Sequence, residues 1–305
     1  MSEDTFLAWL RQRLPSSGAD VLVGSGPDDC AVIDFAQPTQ LAISTDTIAE
    51  GTHFSGGDEP RLIGWKAMGA ALSDLAASGC APRWGLISAA VGRGRGEEWL
   101  KSLAEGMITC ADKYGLGIVG GDTVSANLTC LTVTVMGKPF GASAILRSGA
   151  QVGDVVAVTG TLGGSISGKH LRVEPRFAEI EKIIALAPPH ACMDISDGLS
   201  LDLSRLTRES GVGVRIFADR IPVSDAARDL SAQTGRTTLS HALEDGEDFE
   251  LLFTLPPDRW EFLKNNWSLA TPLTEIGEIV SSGLTLVAAD GAEKVLVPGG
   301  YTHEF

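Results

Sequence analysis

The sequence predicts an α/β (α+β) chain built as two domains, on three observations. Short apolar, β-branched runs alternate with helical periodicity along its length. A glycine-rich stretch without periodicity interrupts that pattern near the middle. The composition, 44% hydrophobic and 21% charged over 305 residues, describes a packed chain long enough for two ordinary domains rather than a disordered one.

In order, LAIS at 41–44 reads as a strand, and Leu62, Trp65, Met68, Leu72 and Leu75 recur at helical spacing within 60–79. WGLISAAV at 84–91 is a second strand. Leu100, Leu103 and Met107 mark a helix over 97–114, closed at Tyr114-Gly115 as a glycine C-cap closes one. LTCLTVTVM at 128–136 is the next strand, and GKPFGASAILRSGAQVGD at 137–154 is the boundary, giving domains 1–138 and 139–305. Beyond it, DVVAVTG at 154–160, GVRIF at 213–217 and FELLFTL at 249–255 read as strands, and RFAEIEKIIALA and GLSLDLSRLTRES as helices. No internal repeat or low-complexity tract is present.

Charge narrows the partners. Lys and Arg total 24 against 39 Asp and Glu, a formal charge of -15 that repels nucleic acid and anionic lipid, so neither is an expected partner. No apolar run has the length of a membrane span, and MSEDTFLAWL lacks the basic and apolar regions of a signal peptide, so the expected compartment is the cytoplasm. Cys30, Cys80, Cys110, Cys130 and Cys192 are scattered and form no C-x-x-C pair, which points to small buried thiols rather than zinc or disulfides.

Aspartates gather at predicted turns. CMDISDGLSLD at 192–202 carries three with no lysine or arginine among them. One reading is a helix start, with Asp194 or Ser196 as cap and Asp197 near the positive end of the dipole. Asp28 and Asp29 sit in GSGPDDCAV, Asp46 just after LAIS, and Asp122 after the apolar GIV, where turn chemistry also accounts for them. Asp74 interrupts a helix with buried neighbours and needs a partner. The other reading is a shared hard cation: Mg²⁺ takes oxygen ligands, and neither histidine nor thiolate accompanies these carboxylates at metal-ligand spacing. Magnesium would let so acidic a protein bind a nucleotide.

GGSISGKH at 163–170 nearly matches the P-loop pattern but ends in His170 where a Ser or Thr hydroxyl must reach Mg²⁺, so it reads as a glycine-rich turn entering a short helix. GRGRGE at 92–97 is an exposed basic turn rather than a dinucleotide fingerprint.

From about Gly24 onward, DDCAV, STDTIAEGTHF, KAMGAALSDLAASGCAP, GGDTV, LRSGAQVGD, VTGTLGGS, MDISDGLSLDL and GEDFELLFT follow one another as they do in the thiamine-monophosphate kinases, and the chain resembles that family. The family shares its superfamily with aminoimidazole ribonucleotide synthetase and selenophosphate synthetase. The resemblance implies an N-terminal domain whose sheet forms a homodimer, a C-terminal α/β domain, and transfer of the ATP γ-phosphoryl group to thiamine monophosphate with several Mg²⁺ ions. It makes Asp29, Ser44, Thr45, Asp46, Asp74, Asp122, Asp194 and Asp197 metal ligands. Gly120, Gly121, Arg147 and Ser196 would contact ATP, and His53, Glu247 and Tyr301 thiamine monophosphate. No catalytic general base is expected, because a phosphate monoester is largely ionised at neutral pH.

The chain departs from the family pattern at Pro27, at Asp245 where a glycine is usual, in a shortened stretch between Gly164 and Arg176, and in the ending GGYTHEF. The alternatives are an aminoimidazole ribonucleotide synthetase-like enzyme and a non-catalytic nucleotide or metal binder. A selenophosphate synthetase would need a reactive Cys or selenocysteine with a Lys in a glycine-rich N-terminal segment, and a carbamoyl dehydratase a reactive Cys at its end, where this sequence has YTHEF.

Overall fold

A computed structural model describes residues 40–302, together with short pieces at 12–13, 21–23 and 32–33. The expected Asp29 ligand and Cys30 lie outside the described residues. Two compact units emerge: 1–75, 80–139 and 171–173 form the first, and 76–79, 140–170 and 174–305 the second.

In the first unit, β1 (Val21–Val23) and β2 (Val32–Ile33) pair antiparallel. The main sheet comprises β3 (Ala42–Ala49), β4 (Cys80–Gly92), β5 (Gly117–Ala126) and β6 (Cys130–Pro139), in the order β3-β6-β4-β5. The helices are α1 (Pro60–Ala77) and α2 (Glu97–Tyr114), and α2 makes the crossover between the parallel strands β4 and β5. β6 alternates: Leu131, Val133 and Val135 are buried, while Thr132, Thr134 and Met136 are half-exposed. On β3, Ile43, Thr45 and Thr47 are exposed, so one side of the sheet is covered and the other open.

Helix α1 is buried nearly all round. It meets α2 at two glycines: a Cβ on Gly64 would lie 2.0 Å from the Leu103 carbonyl oxygen, and one on Gly106 would lie 1.9 Å from that of Arg61. Only hydrogen side chains allow backbones to approach so closely. Gly115 caps α2 in the left-handed conformation, as the sequence predicts.

The second unit contains β7 (Val155–Thr159), α3 (Phe177–Leu186), β8 (Ala191–Asp194), α4 (Leu199–Ser210), β9 (Gly213–Phe217), α5 (Asp225–Thr234), α6 (Thr238–Glu244), β10 (Leu251–Leu255), α7 (Pro257–Asn265), β11 (Leu273–Val280), β12 (Leu284–Val287) and β13 (Glu293–Val295). Its mixed sheet runs β13-β12-β9-β11-β7-β10-β8. Every residue of β7, β8 and β10 is buried, which is why β7 and β10 read as apolar runs without a polar-facing alternation. Val156, Val158, Met193, Leu252 and Ile276 share one core with Leu199, Leu203 and Leu206 of α4.

Two expected turns are strands. Asp46 lies inside β3 and Asp122 inside β5, where ladder pairing with β6 and β4 offsets the low strand propensity of aspartate and, in β5, of the glycines before it. Cys80, Cys110 and Cys192 are buried free thiols, and burial pushes the thiols of Cys80 up to about 11 and Cys110 to about 12.

Candidate active site

In the first unit, strand register distributes the expected ligands. Asp46 pairs with Val133, Val133 with Ile87, and Ile87 with Gly121. The next row runs Thr47, Thr132, Ser88, Asp122. Successive residues of a strand face opposite sides, so Asp46 and Asp122 belong to opposite sides of the sheet and to its two edge strands. Ser44 shares the Asp46 side, and its hydroxyl donates to the Asp74 carboxylate on α1. That contact supplies a partner for the acid that interrupts the helix. Thr45, on the open side, bonds Thr134 side chain to side chain at 3.0 Å. Gly121 has no room for a side chain, since a Cβ would meet the Ile87 carbonyl oxygen at 2.1 Å; at Gly120 the nearest neighbour is the Leu86 side chain at 3.3 Å.

His53 is set by its own loop. Its Nδ1 accepts the Ala49 N–H at 3.1 Å, and its carbonyl oxygen accepts from the fully buried Lys66 Nζ at 2.6 Å. Glu50 anchors the same loop by accepting from Thr129 N at 3.1 Å and Arg95 Nη2 at 2.7 Å, and the Thr129 backbone bond leads in holding its carboxyl below the usual range.

The second unit gathers three loops. Residues 194–198 leave β8 and enter α4 through Gly198, whose φ of +114° excludes most side chains. Neither Asp194 nor Ser196 caps the helix. Asp202, in the first turn, reaches back to accept from Ser196 N and Asp197 N at 3.0 Å each. Arg205 lies a turn further on and donates to Asp197 at 2.5 Å and to Asp202 at 2.7 Å. The missing cation of CMDISDGLSLD is thus Arg205, invisible in the local string because one helical turn brings it back. Burial pushes Asp202 up to about 6, against its bonds from Asp197 N and Arg205.

Alongside lies the turn before β10. Glu247 and Phe249 have φ of +52° and +51°, left-handed values that cost about 1 kcal/mol or more in a non-glycine residue. Neighbouring backbone repays part of this: Glu247 N donates to Ser196 O at 2.6 Å and Phe249 N to Ile195 O at 2.8 Å. Gly163 N donates to both oxygens of the buried Asp248, at 2.9 and 3.0 Å. The third piece is 299–301: Tyr301 N donates to Asp197 O at 3.0 Å, and Ser200 Oγ to Gly299 O at 2.8 Å. Ser196 and Asp197, from one motif, therefore share one locus with Glu247 and Tyr301, next to the buried Asp194. Arg147 is exposed on the 140–154 segment, its carbonyl accepting from Ser210 Oγ at 3.2 Å.

Glycine-rich GGSISGKH is not a phosphate cradle. Lys169 Nζ donates to Glu250 at 2.8 Å and to the Thr161 carbonyl at 3.2 Å, and Glu250, 1% exposed, also takes two bonds from Arg176 at 2.6 and 2.7 Å. Sequence reading missed Asp202, Arg205, Glu250 and Arg176. Only the GEDFE motif signalled Glu250, and a charge spaced three or four along a helix from Asp202 could have found Arg205.

The expected metal donors are carboxylate and hydroxyl oxygens throughout, a set whose chemistry fits Mg²⁺. Among the described residues no three His, Cys, Asp or Glu side chains come together as a metal group.

Residues 27–138 match the N-terminal domain and 151–296 the C-terminal domain of AIR synthase related proteins, so fold and loops define a two-domain protein of that class. A thiamine-monophosphate kinase of Rhodopirellula baltica is 37% identical over 99% of this chain and 97% of its own length. The structure of the thiamine-monophosphate kinase from Stenotrophomonas maltophilia K279a has a TM-score of 0.80 at 31% identity, covering 95% of this chain and 97% of that one. AaThiL complexed with AMPPCP and TMP has a TM-score of 0.78 at 30% identity, covering 91% of each chain. The chain belongs to the thiamine-monophosphate kinase family.

Proposed function

We propose that this protein transfers the γ-phosphoryl group of ATP to thiamine monophosphate, yielding thiamine diphosphate and ADP. One observation carries the reading: the 194–197 loop, the left-handed Glu247 turn and Tyr301 meet through direct backbone bonds, at 2.6 Å from Glu247 N to Ser196 O and 3.0 Å from Tyr301 N to Asp197 O. Full-length similarity to thiamine-monophosphate kinases supports it.

In this reading Gly120, Gly121, Arg147 and Ser196 hold ATP, and His53, Glu247 and Tyr301 hold thiamine monophosphate. Gly120 and Gly121 offer close backbone approach, and Arg147 offers donors to phosphate oxygens. Ser44, Thr45, Asp46, Asp74, Asp122, Asp194 and Asp197, with Asp29, would hold Mg²⁺. When bound, Mg²⁺ supplies the positive charge that offsets repulsion between two polyanions. The chain's part is to align the acceptor oxygen with the γ-phosphorus and to exclude water, since the acceptor is already ionised and no side chain need remove a proton.

The open side of the first sheet, with Ile43, Leu86 and Val124 exposed, supports a homodimer, and four free thiols among the described residues support a reducing cytoplasmic setting.

Incubation with ATP, MgCl₂ and thiamine monophosphate, with products separated by chromatography, tests the activity. Thiamine diphosphate and ADP should accumulate in equal amounts and stop on chelation. ATP hydrolysis without thiamine diphosphate, or turnover in excess chelator, overturns the reading.

A further inference from the structure

Asp245, between α6 and the left-handed Glu247 turn, ties three segments together through its side chain. It lies at the C-terminal end of α6 in helical conformation, φ -68° and ψ -33°. Oδ2 accepts from Gly164 N at 2.9 Å and from His241 Nδ1 at 2.8 Å, and Oδ1 accepts from Arg236 Nη1 at 2.9 Å. A carboxylate can only accept, so His241 Nδ1 carries the hydrogen. His241 is buried, and its Nε2 lies 2.9 Å from Thr234 Oγ1; Arg236 also donates to Glu244 at 2.8 Å. The next residues are Gly246, whose carbonyl accepts from Ser165 Oγ at 2.7 Å, and the left-handed Glu247. The strained turn is thus gripped on its 194–197 side by backbone and on its helical side by Asp245.

We propose that Asp245, braced by Arg236 and His241, is a positioning residue that sets Glu247 for recognition of the thiamine substrate. This rests on the function proposed above. Asp245 touches no reacting atom and acts through the turn. A side chain held by three donors limits the backbone excursions that would let Glu247 relax to a right-handed conformation.

Calorimetric binding of thiamine monophosphate and steady-state kinetics, each substrate varied in turn, test this. Asp245→Ala should weaken thiamine monophosphate binding and raise its KM by about tenfold, the scale of one to two lost charge-assisted hydrogen bonds, with the KM for ATP within about twofold. Arg236→Ala, at an exposed residue, should act in the same direction but less, and it carries the test should Asp245→Ala not fold. Asp245→Asn should recover part of the affinity, because its amide oxygen still accepts from Gly164 N. In a Glu247→Ala background, Asp245→Ala should change the substrate KM by less than about twofold, since coupled residues are not additive. An unchanged KM in both Asp245→Ala and Arg236→Ala, or full multiplication with Glu247→Ala, overturns the proposal. A wild-type protein that binds thiamine monophosphate without phosphorylating it overturns the kinase reading instead, and the binding data still decide the role of Asp245.

Discussion

Tyr301 donates its backbone N–H to the carbonyl oxygen of Asp197 at 3.0 Å, and the residue before it must be glycine, since a Cβ on Gly300 would lie 2.2 Å from that same oxygen. The chain's last described residues are thereby tied to the loop that leaves β8. A loose tail would show neither the bond nor the close approach.

Removing the Tyr301 ring should therefore affect one substrate only. Thiamine carries a cationic thiazolium and an aromatic pyrimidine, and a facing ring contributes about 0.5–2 kcal/mol. Tyr301→Ala is expected to raise the KM for thiamine monophosphate by roughly 3-fold to 30-fold, with the KM for ATP nearly unchanged and Tyr301→Phe close to wild type. Kinetics with an Ala variant indistinguishable from wild type would remove Tyr301 from the site.

The aspartates separate a metal role from a structural one. Asp122→Asn keeps shape and hydrogen bonding but removes charge, so a magnesium ligand predicts turnover lower by about 10² or more, whereas a ladder position in β5 predicts little change. Asp197→Asn should act likewise; a merely structural Asp197, held by Arg205, would show as a lowered melting temperature with turnover retained.

Asp248 should set a slope in stability against pH. Burial pushes its carboxyl up to about 7 from an ordinary 3.8, opposed by Lys169 and the Gly163 N–H. The folded state therefore holds the proton more tightly than the unfolded chain. Its contribution is full below the unfolded pKa and is lost as pH rises through the folded one. Asp248→Asn retains an acceptor for Gly163 N and removes the titration. The melting temperature of the variant should gain on wild type between about pH 4 and 7, the interval between the two pKa values. Parallel curves across that range would show that Asp248 does not titrate there.

Lys169 distinguishes a salt bridge from a phosphate lysine. Its partner Glu250 retains Arg176 when Lys169 is removed. Lys169→Met should lower the melting temperature by a few degrees while leaving the KM for ATP within about twofold, whereas loss of a P-loop lysine would strongly impair nucleotide handling. A large rise in the KM for ATP would restore the P-loop reading.

The sequence by itself determined the two-domain α/β class, the long helices α1 and α2, the apolar strands β4, β6, β7 and β10, and the motifs that carry the family. These are written in local periodicity and in residue types that chemistry demands, and both are read along the string. It did not reveal that Asp46 and Asp122 lie in strands, because aspartate, with glycines before it in β5, reads locally as a turn, while pairing with β6 and β4 carries both strands through these residues. Nor did it show β11, β12 and α5 to α7, which are short or weakly patterned. Tertiary structure alone decided that Arg205 neutralises Asp197, that Lys169 and Arg176 meet a buried Glu250, and that Tyr301 lies beside the Asp197 loop. The reason is physical: the favourable partner of a charge or a strained turn is whatever the fold brings within about 3 Å, and sequence separation does not encode that distance.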